Sequence, residues 1–108
     1  MLHKRNRLAK ATEIAAAFSR GRTFFNPFFT IKFLPAQSGK RFTVVVSTKV
    51  YKSAVKRNRL KRIVREYVRK NLAGFKSGSY MIMAKPKISR LEEKNILPNF
   101  VDVSSKLK

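Results

Sequence analysis

The chain has no cysteine, one histidine and only five carboxylates among its 108 residues. Without cysteine it has no disulfide, no disulfide-linked partner and no thiolate metal site, which fits a reducing compartment. The histidine, His3, lies near a terminus that we expect to be loose, so neither a zinc cluster nor a Ser-His-Asp set is available. Glu92 and Glu93 point apart on one helix turn, so they do not form a Mg²⁺ pair. The sequence therefore predicts no catalytic centre and no metal site built from protein side chains.

Long apolar runs are also missing. No segment approaches the ~18 apolar residues of a membrane span, and no apolar stretch follows the basic N-terminus as a secretory signal requires. The four glycines form no phosphate-binding loop. We therefore expect one cytoplasmic domain over residues 1–108, in which residues 1–10 are a flexible basic leader.

Basic residues dominate what is present. Lys and Arg number 26, and the formal net charge is +21. This excess predicts a polyanionic partner, usually nucleic acid, with an anionic membrane surface as the alternative. A hydrophobic content of 44% indicates a folded domain rather than a basic tail. Nine Phe and three Tyr are interleaved with the cations, which suits single-stranded RNA because bases stack on aromatic rings.

The segment from Ser53 to about Leu72 predicts a central helix with Ser53 as its N-cap. Its apolar residues recur at steps of three and four, as in one buried stripe: Leu60, Ile63, Val64, Tyr67, Val68 and Leu72. Opposite that stripe, four residues fall within about 60° of one another: Asn58, Arg62, Arg65 and Arg69. Like charges at i,i+4 repel, and Glu66 is the helix's one carboxylate. We therefore expect this face to find its counter-charge on a partner, rather than to serve solubility alone.

The other elements follow from local patterns. We predict a helix from Thr12 to about Arg20 that stops at Gly21, strands at 23–25, 28–34, 41–47 and 80–84, and a last helix. That helix opens with a capping box at Ser89, is kinked or divided at Pro98 and runs to about Lys106. Gly74 is expected just after the central helix.

Strand pairing is predicted from loop length and composition. The strands at 28–34 and 41–47 are joined by a short turn, so we expect an antiparallel hairpin. Three consecutive valines, Val44 to Val46, indicate burial on both faces and a central position in the sheet. The order strand, helix, strand around the central helix permits one parallel pair.

The segment Ala54-Val55-Lys56-Arg57-Asn58-Arg59-Leu60-Lys61-Arg62-Ile63-Val64-Arg65-Glu66 resembles the R-N-R signature helix of the bacterial ribonuclease P protein subunit. The resemblance covers nearly the whole chain, since Lys4-Arg5-Asn6-Arg7-Leu8 is similar to that family's basic leader. Tyr80-Met81-Ile82-Met83-Ala84-Lys85-Pro86 is similar to its following strand. Three positions depart from the family pattern: Ile14, Val50 and Lys52 stand where an aromatic, a basic residue and a glycine are usual.

The resemblance implies an α+β fold, a two-layer α-β sandwich in the order αβββαβα with a left-handed β-α-β crossover, as in a ribosomal protein domain. It also implies a non-catalytic subunit that assists an RNA enzyme. In that enzyme the RNA subunit holds the Mg²⁺ ions and removes the 5′ leader from precursor tRNA. The resemblance thus names two partners, the RNA subunit and precursor tRNA, and no membrane.

Residue roles are predicted from the resemblance together with the charge pattern. The expected contacts with the RNA subunit are Lys56, Arg57, Asn58, Arg59, Lys61, Arg62, Arg65 and Arg69. The expected contacts with the single-stranded leader are Arg7, Phe18, Phe29 and Lys49. Two alternatives remain open: a structural ribosomal-type RNA-binding protein without a role in cleavage, and a membrane-surface binder.

Overall fold

The structure is a computed structural model that describes residues 2–8 and 10–108. In chain order its main elements are α1 (Ala11–Arg20), β1 (Arg22–Phe25), β2 (Phe29–Pro35), β3 (Lys40–Val45), α2 (Ala54–Lys70), β4 (Gly78–Ala84) and α3 (Glu93–Ser104). Short 3₁₀ helices span Lys4–Asn6, Leu72–Gly74, Pro86–Arg90 and Ser105–Leu107. The expected αβββαβα order is confirmed.

The four strands form one sheet in the order β1-β2-β4-β3. β2 runs antiparallel to β1 and β4, whereas β3 runs parallel to β4. The predicted hairpin between β2 and β3 is therefore wrong, because β4 lies between these strands. The predicted parallel pair around α2 is confirmed, since β3 and β4 flank that helix in sequence and are neighbours in the sheet. The left-handedness of this crossover stays a prediction.

β3 lies at one edge of the sheet, so its predicted central position is wrong. Val44 and Val46 are buried, but Val45 between them is 38% exposed. The N-terminal segment covers this edge: the Leu8 N–H donates to the Phe42 carbonyl at 2.8 Å. Leu2 is also buried. Within the described part of the expected flexible leader, residues 2–8 and 10, Leu2, Asn6 and Leu8 are buried and the other side chains are exposed. The segment pairs backbone groups that an uncovered edge strand would leave unpaired, and its flexibility stays a prediction.

One face of the sheet packs against α2 and α3 to form the core. On β2, Phe29, Ile31 and Phe33 are buried and alternate with half-buried residues, as a strand with one core-facing side requires. The helices contribute residues from the predicted stripe of α2 and from α3, including Leu60, Val64, Val68, Ile96 and Phe100. The stripe is confirmed, and its opposite side is left to solvent.

The ends of α2 follow from its caps. Ser53 is the N-cap as predicted, and its Oγ accepts from the Lys56 N–H at 3.3 Å. The helix ends at Lys70 with Asn71 as C-cap, and Gly74 ends the following 3₁₀ helix. The expected role of Gly74 is wrong because Asn71 already binds the last turn through its backbone and side-chain amides.

The other two helices also differ at their starts. The N-cap of α1 is Lys10, two residues before the predicted cap Thr12, and the helix begins at Ala11. α3 begins at Glu93, and Ser89 instead donates through its hydroxyl to the Pro86 carbonyl at 2.9 Å. The predicted capping box is wrong because its serine is used inside the preceding 3₁₀ helix. Pro98 lies within α3, which continues to Ser104 rather than dividing.

Candidate nucleic-acid interface

Four residues define the cationic face of α2: Asn58, Arg62, Arg65 and Arg69. All four are exposed, while Leu60, Val64 and Val68 on the opposite side of the helix are buried. Sequence periodicity alone therefore predicted which side of the helix meets solvent. Of the two lysines predicted as further contacts, Lys56 is exposed and Lys61 is half-buried.

Three of the predicted RNA contacts have partners within the chain. Arg57 donates through Nη1 to the backbone carbonyls of Tyr51 at 2.9 Å and Lys52 at 2.8 Å. Arg59 forms an ion pair with Glu93 at 2.5 Å. The third, Arg69, pairs with Glu66. Arg57 thus anchors the loop before α2, whereas Arg59 belongs to an exposed pair of the kind worth only about 0–1 kcal/mol.

Arg69 pairs with Glu66 one helical turn away, at 2.8 Å. The hydrogen bond from Arg69 lowers the pKa of Glu66, and the same bond raises the pKa of Arg69. Both side chains are exposed in part, so this pair also exchanges readily for a contact with a partner. The pairing leaves Arg62 and Arg65 as the guanidinium groups at the centre of the cationic face.

Residues of the N-terminal segment and of the cationic face line one cavity of about 500 Å³. We call it the arginine cavity; it is lined by Leu2, Arg7, Asn58, Arg62, Arg65 and Glu66. Arg7 donates through Nε to the Leu2 carbonyl at 3.2 Å, so its side chain is held in place. Arg7 was predicted to contact the leader, and the structure places it beside predicted contacts of the RNA subunit.

Electrostatics in the arginine cavity favour an anion. Arg65 is exposed overall, but partial burial of its side chain lowers its pKa, and the nearby charge of Arg7 lowers it further. Both effects disfavour the charged form of Arg65, and a phosphate bound in the arginine cavity would favour that form again. Arg7 and Arg65 are far apart in the sequence, so helical periodicity could not have predicted that they lie near each other.

A second surface lies on the sheet face away from α2 and α3, where α1 contacts β2 and β4 and covers part of the sheet. We call it the open sheet face; Lys32, Met81 and Thr43 lie across it in register. Phe18 of α1 is 54% exposed at its border, and the Lys32 Nζ lies 5.5 Å from the Phe18 ring centroid. The exposure predicted for Phe18 is therefore confirmed, although its contact with RNA stays a prediction.

Phe25 belongs to the same surface and was missed. It is 63% exposed, it pairs in register with Thr30, and the Lys85 Nζ lies 4.8 Å from its ring centroid. The signal that could have identified it is alternation, since Phe24 packs against the core and the next strand residue must point the other way.

Phe29 does not belong to either surface. It is 0% exposed, and its ring meets that of Phe100 edge-on at a centroid distance of 5.3 Å. Its predicted role in leader binding is wrong because residue 29 falls on the core side of β2. Lys49 lies exposed in the turn after β3, where its N–H donates to the Ser47 Oγ at 3.3 Å.

Catalytic and metal-binding groups are sparse in the described part of the chain. Among residues 2–8 and 10–108, no three His, Cys, Asp or Glu side chains are grouped so that they could hold a metal ion. His3 uses its Nδ1 to accept from the Arg5 N–H at 3.2 Å. No described helix has both the length and the apolar character needed to cross a bilayer. The two surfaces described above present guanidinium and ammonium groups, an amide and exposed aromatic rings.

Comparison with known sequences identifies the family. The family profile described as Ribonuclease P matches residues 2–108. The ribonuclease P protein component of Finegoldia magna is 36% identical over 86 residues, covering 80% of this chain and 75% of the relative. That of Chromobacterium violaceum is 37% identical over 86 residues, covering 79% and 71%.

Solved structures have the same fold. A Staphylococcus aureus RNase P protein mutant with defective mRNA degradation activity superposes with a TM-score of 0.88 at 20% identity, covering 95% of this chain and 90% of that one. The Thermotoga maritima RNase P protein, solved with 1-(4-fluorophenyl)-2-thiourea, gives 0.84 at 24% identity, covering 94% and 100%. By its sequence match over residues 2–108, and with a fold that agrees, the chain belongs to the ribonuclease P protein family.

Proposed function

We propose that this chain is the protein subunit of a ribonuclease P ribonucleoprotein and that it docks on the RNA subunit through the cationic face of α2. The arginine cavity is the observation that carries this proposal. Its described lining residues bring together Arg7, Arg62 and Arg65 with one carboxylate, Glu66. Phosphate groups of a folded RNA supply the counter-charge that the chain itself provides only in part.

The contact positions the RNA without reading its sequence. Guanidinium groups bind phosphate oxygens in a bidentate manner, and such contacts fix register and orientation but carry no base information. Asn58, beside Arg62 on the same face, adds one amide that can both donate and accept. This arrangement suits a protein that serves one RNA subunit and many precursors.

The open sheet face supports the second part of the proposal, binding of the single-stranded 5′ leader of precursor tRNA. Phe18 and Phe25 are exposed rings, and Lys32 and Lys85 lie over them. Stacking of a base on an aromatic ring contributes about 1–3 kcal/mol and tolerates any base. Lys49, in the exposed turn after β3, adds a cation for the leader's phosphates.

Cleavage is assigned to the RNA subunit, which also binds the catalytic Mg²⁺. The contribution of the protein is electrostatic: its cations reduce repulsion between the RNA subunit and the precursor, so both the substrate and Mg²⁺ bind more tightly. None of the side chains in the arginine cavity is assigned a bond-breaking step.

Reconstitution tests this function. Precursor tRNA is incubated with the protein alone, the RNA subunit alone, and both, over a series of Mg²⁺ concentrations, and release of the 5′ leader is measured. We expect no cleavage by the protein alone, and cleavage by the complex at Mg²⁺ concentrations too low for the RNA alone. Cleavage by the protein alone would contradict the assignment of catalysis to the RNA subunit. Unchanged Mg²⁺ dependence, with the protein found on ribosomal particles, would instead indicate a structural ribosomal-type protein.

A further inference from the structure

A smaller cavity lies beside the cationic face, on the flank of α2 that meets α3. Its volume is about 290 Å³, and we call it the flank cavity. Leu60 and Ile63 of α2 and Ile96 of α3 are among its apolar lining residues, with Leu91 between the 3₁₀ helix Pro86–Arg90 and α3. Its charged lining residues are Lys56, Arg59 and Glu93. The lining thus mixes apolar residues, which can contact the faces of a ring, with charged residues, which can fix the ring's orientation.

The flank cavity is placed where an RNA on the cationic face would reach it. At about 100° per residue, Arg59 lies roughly 100° around the helix from Asn58, and Ile63 about 40° farther on. Arg59 therefore stands between the two surfaces. A strand whose phosphates follow the cationic face comes to the cavity mouth at Arg59, next to Lys56.

The polar groups at the mouth offer both signs of charge. Arg59 and Glu93 are paired at 2.5 Å, but their side chains are 68% and 51% exposed. An exposed pair is worth about 0–1 kcal/mol, so a phosphate can take Arg59 and leave the carboxylate to accept from another donor. Tyr51 adds a half-buried ring, and burial, followed by the charge of Glu93, raises the pKa of its hydroxyl, which stays protonated.

We propose that the flank cavity binds one unpaired nucleobase of the docked RNA, with the adjoining phosphate on Lys56 and Arg59 and an exocyclic amine of the base donating to Glu93. The inference rests on the proposed function, because docking on α2 delivers the strand. The cavity volume is at the low end for ligand sites, so it fits one ring system and not a duplex. The net charge of +21 favours a phosphate-bearing ligand over a basic or neutral one.

Glu93 gives the site a base preference. Cytosine and adenine each present an amino donor, whereas the corresponding edge group of uracil is a carbonyl acceptor that faces the carboxylate unfavourably. Hydrogen bonds to charged groups contribute about 1.5–3 kcal/mol. Cytidine nucleotides should therefore bind about tenfold or more tightly than uridine nucleotides.

The test uses the full chain with isotope-labelled methyl groups and three probes: cytidine 5′-monophosphate, uridine 5′-monophosphate and ribose 5-phosphate. We expect the cytidine nucleotide to shift the methyl signals of Ile63, Leu91 and Ile96 in a saturable way. The uridine nucleotide should need about tenfold more ligand, and the sugar phosphate should leave these signals unmoved. Equal shifts from all three probes, or no shifts from any of them, would overturn the proposal.

A matched pair of variants tests the role of Glu93. Glu93→Ala should abolish the preference for cytidine over uridine, because the acceptor for the amine is gone. Glu92→Ala, the neighbouring carboxylate, which pairs with Lys94 at 3.3 Å, should keep the preference. If Glu93→Ala still binds the cytidine nucleotide more tightly than the uridine nucleotide, Glu93 does not accept from the base.

Binding of the RNA subunit is measured on the same samples, so the two proposals fail separately. A protein that binds the RNA subunit but shows no nucleotide shifts at the cavity would overturn the flank cavity alone. A protein that binds the nucleotide but not the RNA subunit would overturn the proposed function and leave the cavity as a nucleotide site.

Discussion

Phe18 and Phe29 were both predicted to contact the leader, but their alanine variants should differ: Phe29→Ala should lower stability, and Phe18→Ala should weaken leader binding. Phe29→Ala removes a ring that is 0% exposed and packed on Phe100. Phe-to-Ala changes at such sites cost about 3–5 kcal/mol. Against a total stability of about 5–15 kcal/mol for a domain of this kind, that is a large fraction, and it corresponds to a fall in Tm of roughly 12 °C or more.

Phe18→Ala removes a ring that is 54% exposed and has Lys32 as its cationic neighbour. An exposed cation–π contact contributes about 0.5–1 kcal/mol, so the loss of stability should not exceed about 1 kcal/mol. The loss of binding should be larger, because a base stacked on the ring contributes about 1–3 kcal/mol. Affinity for precursor tRNA should fall roughly 5-fold to 150-fold, with little change for mature tRNA.

Denaturant unfolding followed by far-UV circular dichroism gives the stability of each variant. Fluorescence anisotropy with labelled precursor and mature tRNA, in the presence of the RNA subunit, gives affinity per folded molecule. Equal weakening of precursor and mature tRNA binding by Phe18→Ala would refute leader stacking on this ring. A Phe29→Ala variant with wild-type stability and weakened leader binding would refute the assignment of Phe29 to the core.

Two further changes have outcomes set by local geometry. Gly21→Ala should destabilise the fold by about 1–3 kcal/mol, because a Cβ there would lie 2.3 Å from the Ala17 carbonyl oxygen; an unchanged denaturation midpoint would contradict the close approach. Glu66→Gln should tighten binding of the RNA subunit at low salt, since it removes the carboxylate from the arginine cavity, while the matched Glu92→Gln should not. Because Arg69 lowers the pKa of Glu66 in the folded state, the pair stabilises above the unfolded carboxyl pKa and is lost as pH falls through the lower folded value. Urea midpoints of wild type and Glu66→Gln should therefore converge in strongly acid solution, and a constant difference would contradict the pairing.

The central helix could be predicted from the sequence because its signals are local. The spacing of Leu60, Val64 and Val68 and the hydroxyl of Ser53 act within a few turns, and the structure has both as expected. Strand pairing is set by non-local contacts. The short turn between β2 and β3 indicated a hairpin, but the parallel β3–α2–β4 unit places β4 between them. Loop length alone does not indicate that β4 will take the place beside β2 that a hairpin would give to β3.

In the candidate site, too, the features set by local sequence were predicted and those set by non-local contacts were not. The exposed side of α2 follows from helical periodicity, so Arg62 and Arg65 were predicted correctly as exposed cations. The position of Arg7 near Arg65 depends on where the N-terminal segment packs, which no local sequence pattern indicates. The choice of Phe29 over Phe25 failed for a different reason: both are strand aromatics, and alternation assigns each to a face only once a neighbouring residue is known to face the core.

The salt dependence of binding to the RNA subunit tests the central claim most directly. Log affinity is plotted against log salt concentration for the wild type, for Arg62→Ala with Arg65→Ala, and for a control with Lys94→Ala and Lys106→Ala on and after α3. Each phosphate contact contributes a slope of about 1, so the arginine variant should lower the slope by about 2 and the lysine control should leave it near the wild-type value. A wild-type slope in the arginine variant, or an equal loss in the control, would contradict docking through the cationic face of α2.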